Sequence, residues 1–388
     1  MDKLKIGLFI DTFFPMIDGV VMVVDNYARR LCKFADVTVF APAIPNKNFD
    51  DSSLPYKVVR AKSFPLFFID YSLPLPDLDN NFKEELKNSK LDIVHIHSPF
   101  TIGKVGIKYA KAHNIPVIAT MHSQFKQDFK RAVKVDFFAN FLTSIVVKTF
   151  DKCDKCFAVN SEIAKIFFED YGVKELPGVL DNATDLTPVS DISISNKEIN
   201  KLYNISPNEK VFLFVGRLNI LKNILFIVDA LKLLKDKGYH FKMLFVGAGQ
   251  DENLLRQKID ELALNDCITL CGKISDRELM KKIYARADLF LFPSLYDASS
   301  LVQVEAASQK TPTIFIEGAA TSATVTNNVN GIIAKNSPTG YADAIEKMIT
   351  DAEFYTKISD GAFRDLYKTW DDVVKNMFDI YCEFAKSK

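Results

Sequence analysis

The sequence predicts an α/β protein with two doubly wound domains, each a parallel sheet covered by helices on both faces. Short apolar runs alternate with segments of helical periodicity along most of the 388 residues, which is typical of such sheets. The alternation starts afresh near Asn208, after a segment (182–205) with few apolar residues. At about 150 residues per domain, this length fits two or three domains.

The first half contains short apolar runs that suit strands buried on both faces. These runs cover residues 5–10, 36–41, 93–97, 117–121 and 155–159. Apolar residues at helical spacing mark the segments between the runs, and they predict helices over 20–31, 102–113 and 161–171. Ser161 is the predicted N-cap of the last of these helices.

The second half repeats the same alternation. It predicts strands over 211–215, 243–246, 289–292 and 313–316, and helices over 222–237, 252–263 and 276–287. The stretch 371–384 has apolar residues at helical spacing and is predicted to be a closing helix. We therefore place one domain at 1–185, a linker at 186–206, a second domain at 207–369 and the closing helix at 370–388.

Composition excludes several classes of protein. Lysine plus arginine number 49, as do aspartate plus glutamate, and this zero net charge argues against a nucleic-acid partner. No apolar run reaches the roughly 18 residues of a spanning helix, and the first residues indicate a strand rather than a signal peptide. The pairs Cys153-x-x-Cys156 and Cys267-x-x-x-Cys271 lack a histidine at ligand spacing, so thiols are favoured over zinc or a disulfide scaffold. We expect a cytoplasmic protein with a large core.

Ligands of open parallel sheets bind outside the carboxyl ends of the strands. Two such domains that face each other form a central cleft, which suits a reaction that joins two substrates. The same architecture is compatible with a two-domain binding protein, so the fold does not decide the function.

The first candidate site follows the strand at 211–215. Gly216 and Arg217 stand at the end of this strand, and Lys222 opens the next helix. A guanidinium, an ammonium and a helix N-terminus together suit a phosphate group with two negative charges. The alternative is that Arg217 and Lys222 are two surface cations.

The second candidate site follows the strand at 289–292. Asp297 lies in the polar loop after this strand, and Glu305 lies eight positions later in a predicted helix. Carboxylates accept hydrogen bonds in pairs, which suits the vicinal hydroxyls of a sugar or ribose. The alternative is that Asp297 caps the helix and that Glu305 pairs with a lysine.

Taken together, these motifs resemble glycosyltransferase family 4, and the resemblance covers nearly the whole chain. The segment 11–19 is similar to the family's first loop, and residues 118–122 match the strand that ends in its active-site histidine, here His122. Val246-Gly247-x-Gly249 and Cys271-Gly272-Lys273-Ile274 resemble the stretches that form the nucleotide-base pocket. The resemblance implies the GT-B fold, with two Rossmann-like domains, and a retaining transfer from a nucleotide sugar, with a UDP-hexose favoured.

The resemblance also implies roles for individual residues. Arg217 and Lys222 would neutralise the donor diphosphate, Glu305 would bind the ribose, and Asp297 and His122 would contact the transferred sugar. The family needs no metal or other cofactor for this chemistry. The remaining predicted donor-binding residues are Gly19, Gly247, Lys273, Ile274, Ser299, Ser300, Leu301 and Val302.

The chain departs from the family pattern at several of these positions. Asp297 replaces the usual glutamate, which shortens the carboxylate reach by about 1.5 Å. Ser299-Ser300 replace Phe-Gly, and Asn223 replaces a glycine after Lys222. The hinge-region Asn-Gly is Asn182-Ala183 here, and Asp18-Gly19 stand where a double glycine is common. These departures indicate a divergent subgroup with a shifted sugar pocket, or an enzyme with low or no activity.

The N-terminal domain of such enzymes binds the acceptor, for which His97, Phe100 and Phe125 are candidates. His95 and His97 point the same way on one strand, and hydrogen bonding is favoured over metal binding for both. Basic residues and phenylalanines mix over 123–141, and 64–69 is also apolar. Both stretches suit an interface with anionic lipid, although phenylalanines of the core are the alternative.

This half resembles the branch that glucosylates diacylglycerol, which implies a lipid acceptor at the inner face of the cytoplasmic membrane, with a cell-surface polysaccharide intermediate as the second choice. A nucleotide-sugar epimerase and a non-catalytic partner of an active paralogue are the competing functions. Hinges for closure over the donor are predicted in the segment 182–195 and before Asp371.

Overall fold

The computed structural model describes residues 3–45, 49–65 and 72–386. The described residues form two compact units, each built around a parallel sheet. The first unit consists of residues 1–181 and 370–388, and the second of residues 182–369. Each unit has the layered α/β architecture that the alternating sequence pattern predicts.

The first unit begins with strand β1 (Lys5–Phe9) and helix α1 (Gly19–Leu31). Its other strands are β2 (Asp36–Pro42), β3 (Lys57–Ala61), β4 (Ser63–Pro65), β5 (Ser72–Pro74), β6 (Ile93–Ile96), β7 (Val117–Met121), β8 (Lys155–Ala158) and β9 (Gly178–Val179). Its other helices before the second unit are α2 (Asn80–Asn88), α3 (Thr101–His113), α4 (Phe125–Val133), α5 (Asp136–Phe150) and α6 (Ser161–Lys165).

The described strands of this unit form a parallel sheet in the order β3-β2-β1-β6-β7-β8-β9, and β4 pairs with β5 in a separate antiparallel ribbon. Strand order reverses next to β1, so the loops after β1 and β6 diverge there, as in other doubly wound sheets. Helix α6 continues as a π-helix over Ile166–Tyr171. The prediction of Ser161 as N-cap is wrong, because the Asn160 side chain accepts the hydrogen bond from the Ile163 N–H.

The second unit begins with helix α7 (Ile192–Tyr203) and strand β10 (Lys210–Val215). Its other strands are β11 (Phe241–Val246), β12 (Ile268–Gly272), β13 (Leu289–Leu291), β14 (Thr313–Ile316) and β15 (Ile332–Ala334). Its other helices are α8 (Ile224–Asp236), α9 (Glu252–Glu261), α10 (Arg277–Arg286), α11 (Leu301–Ser308), α12 (Pro338–Thr350) and α13 (Ala352–Leu366).

The sheet of the second unit has the order β12-β11-β10-β13-β14-β15, with parallel pairing throughout. Its central strands are almost wholly buried, since helices cover both faces, and this is why they are unbroken apolar runs. The switch in strand order lies next to β10. The loop after β10 therefore stands at the position where doubly wound sheets bind their ligands.

Of the predicted linker and the predicted closing helix, only the linker differs from the sequence-based expectation. The predicted linker, 186–206, contains helix α7, which packs on α10 and buries Ile199, so it is part of the second unit. The chain then returns to the first unit through helix α14 (Trp370–Lys386), whose buried residues include Trp370 and Tyr381. None of the helices in the described ranges has both the length and the apolar character of a membrane span.

Candidate active site

The loop after β10 connects a buried strand to a helix through a tight turn. Arg217 follows the strand and is exposed, and Lys222 ends a short 3₁₀ turn over Ile220–Lys222. The Asn219 side chain accepts the Lys222 N–H at 3.1 Å and so caps this turn. Asn223 has a φ of 61°, which redirects the chain into α8. The two cations therefore stand at the carboxyl end of β10, beside the N-terminus of a helix.

Two glycines in the loop after β11 allow it to approach the loop after β10 at backbone distance. A Cβ on Gly247 would lie 1.8 Å from the Gly216 carbonyl oxygen, and a Cβ on Gly249 would lie 2.1 Å from the Leu218 oxygen. The Leu218 N–H donates to the Ala248 oxygen at 3.1 Å. Glycine is therefore required at both positions by close contact, and the contact gives the loop after β10 a fixed shape.

Lys222 and Asp297 form an ion pair, although 75 positions separate them in the sequence. Both side chains are largely shielded from solvent, and the Lys222 ammonium lies 6.0 Å from the ring centroids of Phe292 and of Tyr296. The structure thus brings together a residue predicted to bind the diphosphate and one predicted to bind the sugar. Asp297 does not cap α11, because the Ser300 hydroxyl accepts the Gln303 N–H at 3.3 Å.

The other predicted residues of this loop begin helix α11. Leu301 and Val302 are half-buried in its first turn, which follows the capping residue Ser300. The Ser299 hydroxyl accepts a hydrogen bond from the Asn182 side-chain amide at 2.8 Å. Asn182, which stands in the predicted hinge, is thereby tied to the loop that carries Asp297.

Glu305 is a buried carboxylate with two partners. It is 9% exposed. One oxygen lies 2.8 Å from the Arg277 guanidinium, and the other accepts the Tyr284 hydroxyl at 2.8 Å. Arg277 also pairs with Asp185. Burial raises the pKa of Glu305, while Arg277 and Tyr284 act in the opposite direction. The alternative of a lysine partner is therefore wrong, since the partner is an arginine.

Sequence reasoning missed Arg277, Tyr284 and Asp185. Arg277 could have been found by one signal. It is the first residue of α10, where a cation opposes the helix dipole and so needs a specific partner.

Two further predicted residues follow β12: Lys273 is exposed, and Ile274 packs against the core. The Gly247 N–H donates to the Gly272 oxygen at 2.8 Å and holds this strand end against the loop after β11.

In the first unit, acidic side chains cap the helices that follow β1 and β6. Asp11 accepts the N–H groups of Ile102 at 2.7 Å and of Gly103 at 3.4 Å, at the start of α3. Burial raises the pKa of Asp11, and these hydrogen bonds oppose the rise. Asp18 accepts the Val21 N–H at 2.9 Å and caps α1. Gly19 is the first residue of α1, and a Cβ there would meet nothing within 4 Å.

Three histidines lie side by side at the ends of β6 and β7. His97 Nδ1 lies 3.1 Å from His122 Nε2. The two ring nitrogens of His95 lie 2.5 Å from the Tyr381 hydroxyl and 2.8 Å from the Thr120 hydroxyl, which is the hydrogen-bonding role predicted for this residue. Burial lowers the pKa values of His95 and His122 to about 3. Burial also lowers the pKa of His97 well below its ordinary value, so all three rings are neutral at physiological pH.

Within the described ranges, no three histidine, cysteine or acidic side chains converge as metal ligands.

The predicted acceptor residues Phe100 and Phe125 contact each other edge to face, with ring centroids 5.7 Å apart. Phe125 is buried and also packs on Phe150 and Phe167, so it belongs to the core of the first unit. Phe100 is exposed at the N-cap of α3.

Helices α4 and α5 carry the basic and aromatic segment 123–141. Phe137 is 73% exposed, and Phe138 and Phe141 are also exposed, so the alternative of core phenylalanines is wrong for these three. Lys130 pairs with Asp136, and Arg131 pairs with Asp128. In the other predicted apolar stretch, Phe64 is exposed, and residues 66–69 lie outside the described residues.

Two family models match consecutive parts of the chain. Residues 17–187 match Glycosyltransferase Family 4, and residues 195–365 match Glycosyl transferases group 1. Alpha-monoglucosyldiacylglycerol synthase of Streptococcus pneumoniae is 26% identical over 80% of this chain and 70% of its own length. The synthase of the same name from Acholeplasma laidlawii is 25% identical over 85% of this chain and 84% of its own length.

Solved structures share the fold. Anabaena HepE in complex with UDP and glucose superposes with a TM-score of 0.76 at 16% identity, and the match covers 97% of this chain and 99% of that one. Sucrose-phosphate synthase of Thermosynechococcus elongatus has a TM-score of 0.80 at 18% identity, with full coverage of both chains. The expected fold class is confirmed. The chain is a glycosyltransferase with the GT-B fold, in which a Glycosyltransferase Family 4 region is followed by a Glycosyl transferases group 1 region, and it resembles the diacylglycerol glucosyltransferases.

Proposed function

We propose that this glycosyltransferase transfers a hexose from a nucleoside-diphosphate sugar, with a UDP-sugar favoured, to a diacylglycerol-like lipid, with retention of the anomeric configuration. The observation that carries the proposal is the position of Arg217 and Lys222 at the carboxyl end of β10. Two cations beside a helix N-terminus suit a diphosphate. They stabilise the negative charge that grows on the departing nucleoside diphosphate, and this lowers the barrier to transfer.

The ion pair of Lys222 with Asp297 is compatible with this role. An ammonium has three N–H donors, so Lys222 can hold Asp297 and still donate to a phosphate oxygen. The arrangement ties the proposed phosphate ligand to the proposed sugar ligand. Asp297 and His122 keep their assigned roles toward the transferred sugar, and the resemblance implies that no metal takes part.

Glu305 is assigned to the ribose of the donor. An ionised carboxylate has about four acceptor sites, and Arg277 and Tyr284 use two of them. The remaining sites suit the two ribose hydroxyls. Arg277 favours the ionised form of this carboxylate against the effect of burial, and a charged acceptor forms the stronger hydrogen bonds.

A thermal-shift titration with UDP tests the donor site. A ligand at 100 times its dissociation constant stabilises the native state by about 2.7 kcal/mol, and we expect wild type to show this shift. Arg217→Ala is expected to abolish it. Arg256→Ala is the matched control, because Arg256 is an arginine of the same unit that pairs on helix α9 with Glu252. An equal shift in the Arg217 variant and in wild type would refute the assignment of the diphosphate site.

Product analysis then separates the competing functions. Transfer of the sugar to diacylglycerol supports the proposal, and transfer only to a polysaccharide intermediate replaces the lipid acceptor with a glycan. Turnover of the donor without an acceptor would indicate an epimerase. If neither wild type nor Asp297→Glu consumes donor, the non-catalytic alternative is favoured over the proposal.

Support for a lipid acceptor comes from the exposed phenylalanines of α5 and from the names of the two bacterial relatives. Phe137, Phe138 and Phe141 present aromatic surface beside the basic residues of α4, as interfacial helices do. This proposal places the enzyme at the inner face of the cytoplasmic membrane.

Co-sedimentation with anionic phosphatidylglycerol vesicles tests the membrane contact. We expect wild type to bind and Phe137→Ser/Phe141→Ser to lose at least about 1.5 kcal/mol of binding free energy, about tenfold in affinity. Leu202→Ser is the control, because Leu202 lies on α7 of the second unit and is about as exposed as Phe141. Equal binding of all three proteins, or none by wild type, contradicts the proposed membrane contact.

A further inference from the structure

His97 and His122 form a hydrogen-bonded pair within the first unit. They follow the neighbouring strands β6 and β7, and the His97 backbone N–H donates to the Phe9 oxygen at 2.8 Å. His97 Nδ1 lies 3.1 Å from His122 Nε2, and the ring planes are inclined by 23° with centroids 5.4 Å apart. The distance is that of a hydrogen bond between two ring nitrogens.

Only one of the two rings can donate across this contact. His97 is 3% exposed, and burial lowers its pKa well below the ordinary value, with the pKa of His122 lowered to about 3 for the same reason. Both rings are therefore neutral at physiological pH. A neutral imidazole carries one N–H and one lone pair, so the donor and the acceptor are fixed by the tautomers.

The other nitrogen of His97 decides between the two arrangements. His97 Nε2 is buried and has no hydrogen-bond partner among the residues that the structure describes. If His122 donated, the single proton of His97 would stand on Nε2 as a buried N–H without a partner. If His97 donates, only a lone pair is left at Nε2. Orphaned buried N–H groups are rarer than under-satisfied acceptors, so the second arrangement is favoured.

The neighbouring aromatic groups do not change this choice. The Tyr27 ring meets His97 edge to face with centroids 5.8 Å apart, and an N–H···π contact is a weaker interaction than a regular hydrogen bond. His95 does not compete for the His97 proton, because its own ring nitrogens face Tyr381 and Thr120.

We propose that His97 is a positioning residue that donates through Nδ1 to Nε2 of His122 and so fixes the proton of His122 on Nδ1. His122 then presents an N–H donor, and its substrate partner must be an oxygen acceptor such as a sugar hydroxyl. It does not act as a base. The catalytic meaning of this inference rests on the proposed function, whereas the tautomer is a property of the chain itself.

Long-range ¹H–¹⁵N correlation spectra of the full chain labelled with ¹⁵N-histidine read the tautomers directly. The chain has five histidines, and single His→Gln variants assign them. We expect a protonated Nδ1 and an unprotonated Nε2 for His122 in wild type. A protonated Nε2 on His122 overturns the proposal, and this measurement needs no variant of His97 to fold.

Two variants of His97 add a kinetic readout. His97→Asn places an amide donor where Nδ1 stands, and we expect it to retain the His122 tautomer and kcat/KM for the donor within about threefold. His97→Leu removes the donor and is expected to lower kcat/KM about tenfold, with the His122 proton redistributed between both nitrogens. Equal kcat/KM in the Asn and Leu variants counts against the positioning role.

The same proteins separate this inference from the proposed function. The UDP-induced thermal shift is expected to be unchanged in both His97 variants, because the donor diphosphate is assigned to Arg217 and Lys222 in the second unit. A missing UDP shift in wild type contradicts the proposed donor site, whereas a wrong His122 tautomer contradicts only the inference on His97.

Discussion

Replacing Arg277 by methionine is expected to destabilise the second unit, because the buried carboxylate of Glu305 loses its cation. Methionine keeps much of the apolar stem of arginine, so the change removes mainly the guanidinium. Tyr284 remains as a donor to Glu305, but it is neutral. The folded state must then hold the charge with less compensation or bind a proton.

The expected loss of unfolding free energy follows from the contacts of Arg277. A hydrogen bond to a charged group contributes about 1.5–3 kcal/mol, and breaking a buried ion pair costs about 3–5 kcal/mol. Arg277 is 43% exposed, which screens the pair, so we expect the lower range, about 2–3 kcal/mol at pH 7.5. The more exposed contact with Asp185 adds less than about 1 kcal/mol. For a domain of this size the midpoint of unfolding falls by about 4–12 °C.

The loss of unfolding free energy in Arg277→Met is expected to depend on pH. Burial raises the folded-state pKa of Glu305, so the cost of its charge is absent below the unfolded pKa of about 4.3 and grows as the pH rises through the folded pKa. Removing Arg277 raises that pKa further. The difference in unfolding free energy between wild type and variant is therefore larger at pH 7.5 than at pH 5.

Urea unfolding at pH 5 and pH 7.5 measures both effects. Arg256→Met is the control, since its exposed pair with Glu252 on α9 is worth only about 0.3–0.5 kcal/mol at either pH. Adding Glu305→Gln to Arg277→Met should recover part of the loss at pH 7.5. A loss in the single variant below about 1 kcal/mol, or one of equal size at both pH values, would refute the view that Arg277 sustains a buried charge.

Two further predictions concern stability. Gly249→Ala should lower the unfolding free energy by about 2 kcal/mol or more, because the new Cβ would stand 2.1 Å from the Leu218 oxygen. Gly19→Ala is the control, since nothing lies within 4 Å of a Cβ there, and it should change the unfolding free energy by less than about 1 kcal/mol. Urea unfolding measures both changes. Asn160→Ala should cost about 1 kcal/mol through loss of the cap on the Ile163 N–H, and an unchanged thermal midpoint would show that the cap contributes nothing.

The central strands could be predicted from the sequence because burial on both faces leaves unbroken apolar runs. The predicted strands 117–121 and 313–316 coincide with β7 and β14. The two-residue strand β9 and the short ribbon of β4 and β5 carry no such run and were not predicted. Helix α7 was not predicted because few of its residues are buried, namely Ser195 and Ile199.

The sequence predicted where the candidate site lies, but not which of its side chains form contacts with one another. Strand ends and helix starts located Arg217, Lys222 and Glu305, because parallel sheets collect their ligands there. The partners of Lys222 and Glu305 come from other segments of the chain, as the 75 positions between Lys222 and Asp297 show. Such contacts depend on how the loops pack, which local sequence patterns do not encode.

The return of the chain through α14 determines the order in which a ribosome can complete the two units. Residues 182–369 form one unbroken stretch and can fold as soon as they have left the exit tunnel. The first unit lacks its last helix until Trp370–Lys386 has been synthesised, although all the described strands of its sheet emerge earlier. Domains usually fold in order from the N-terminus. Here the unit translated first is the last to be finished, and until then the apolar surface of α1 and β6 that α14 covers is a target for chaperones.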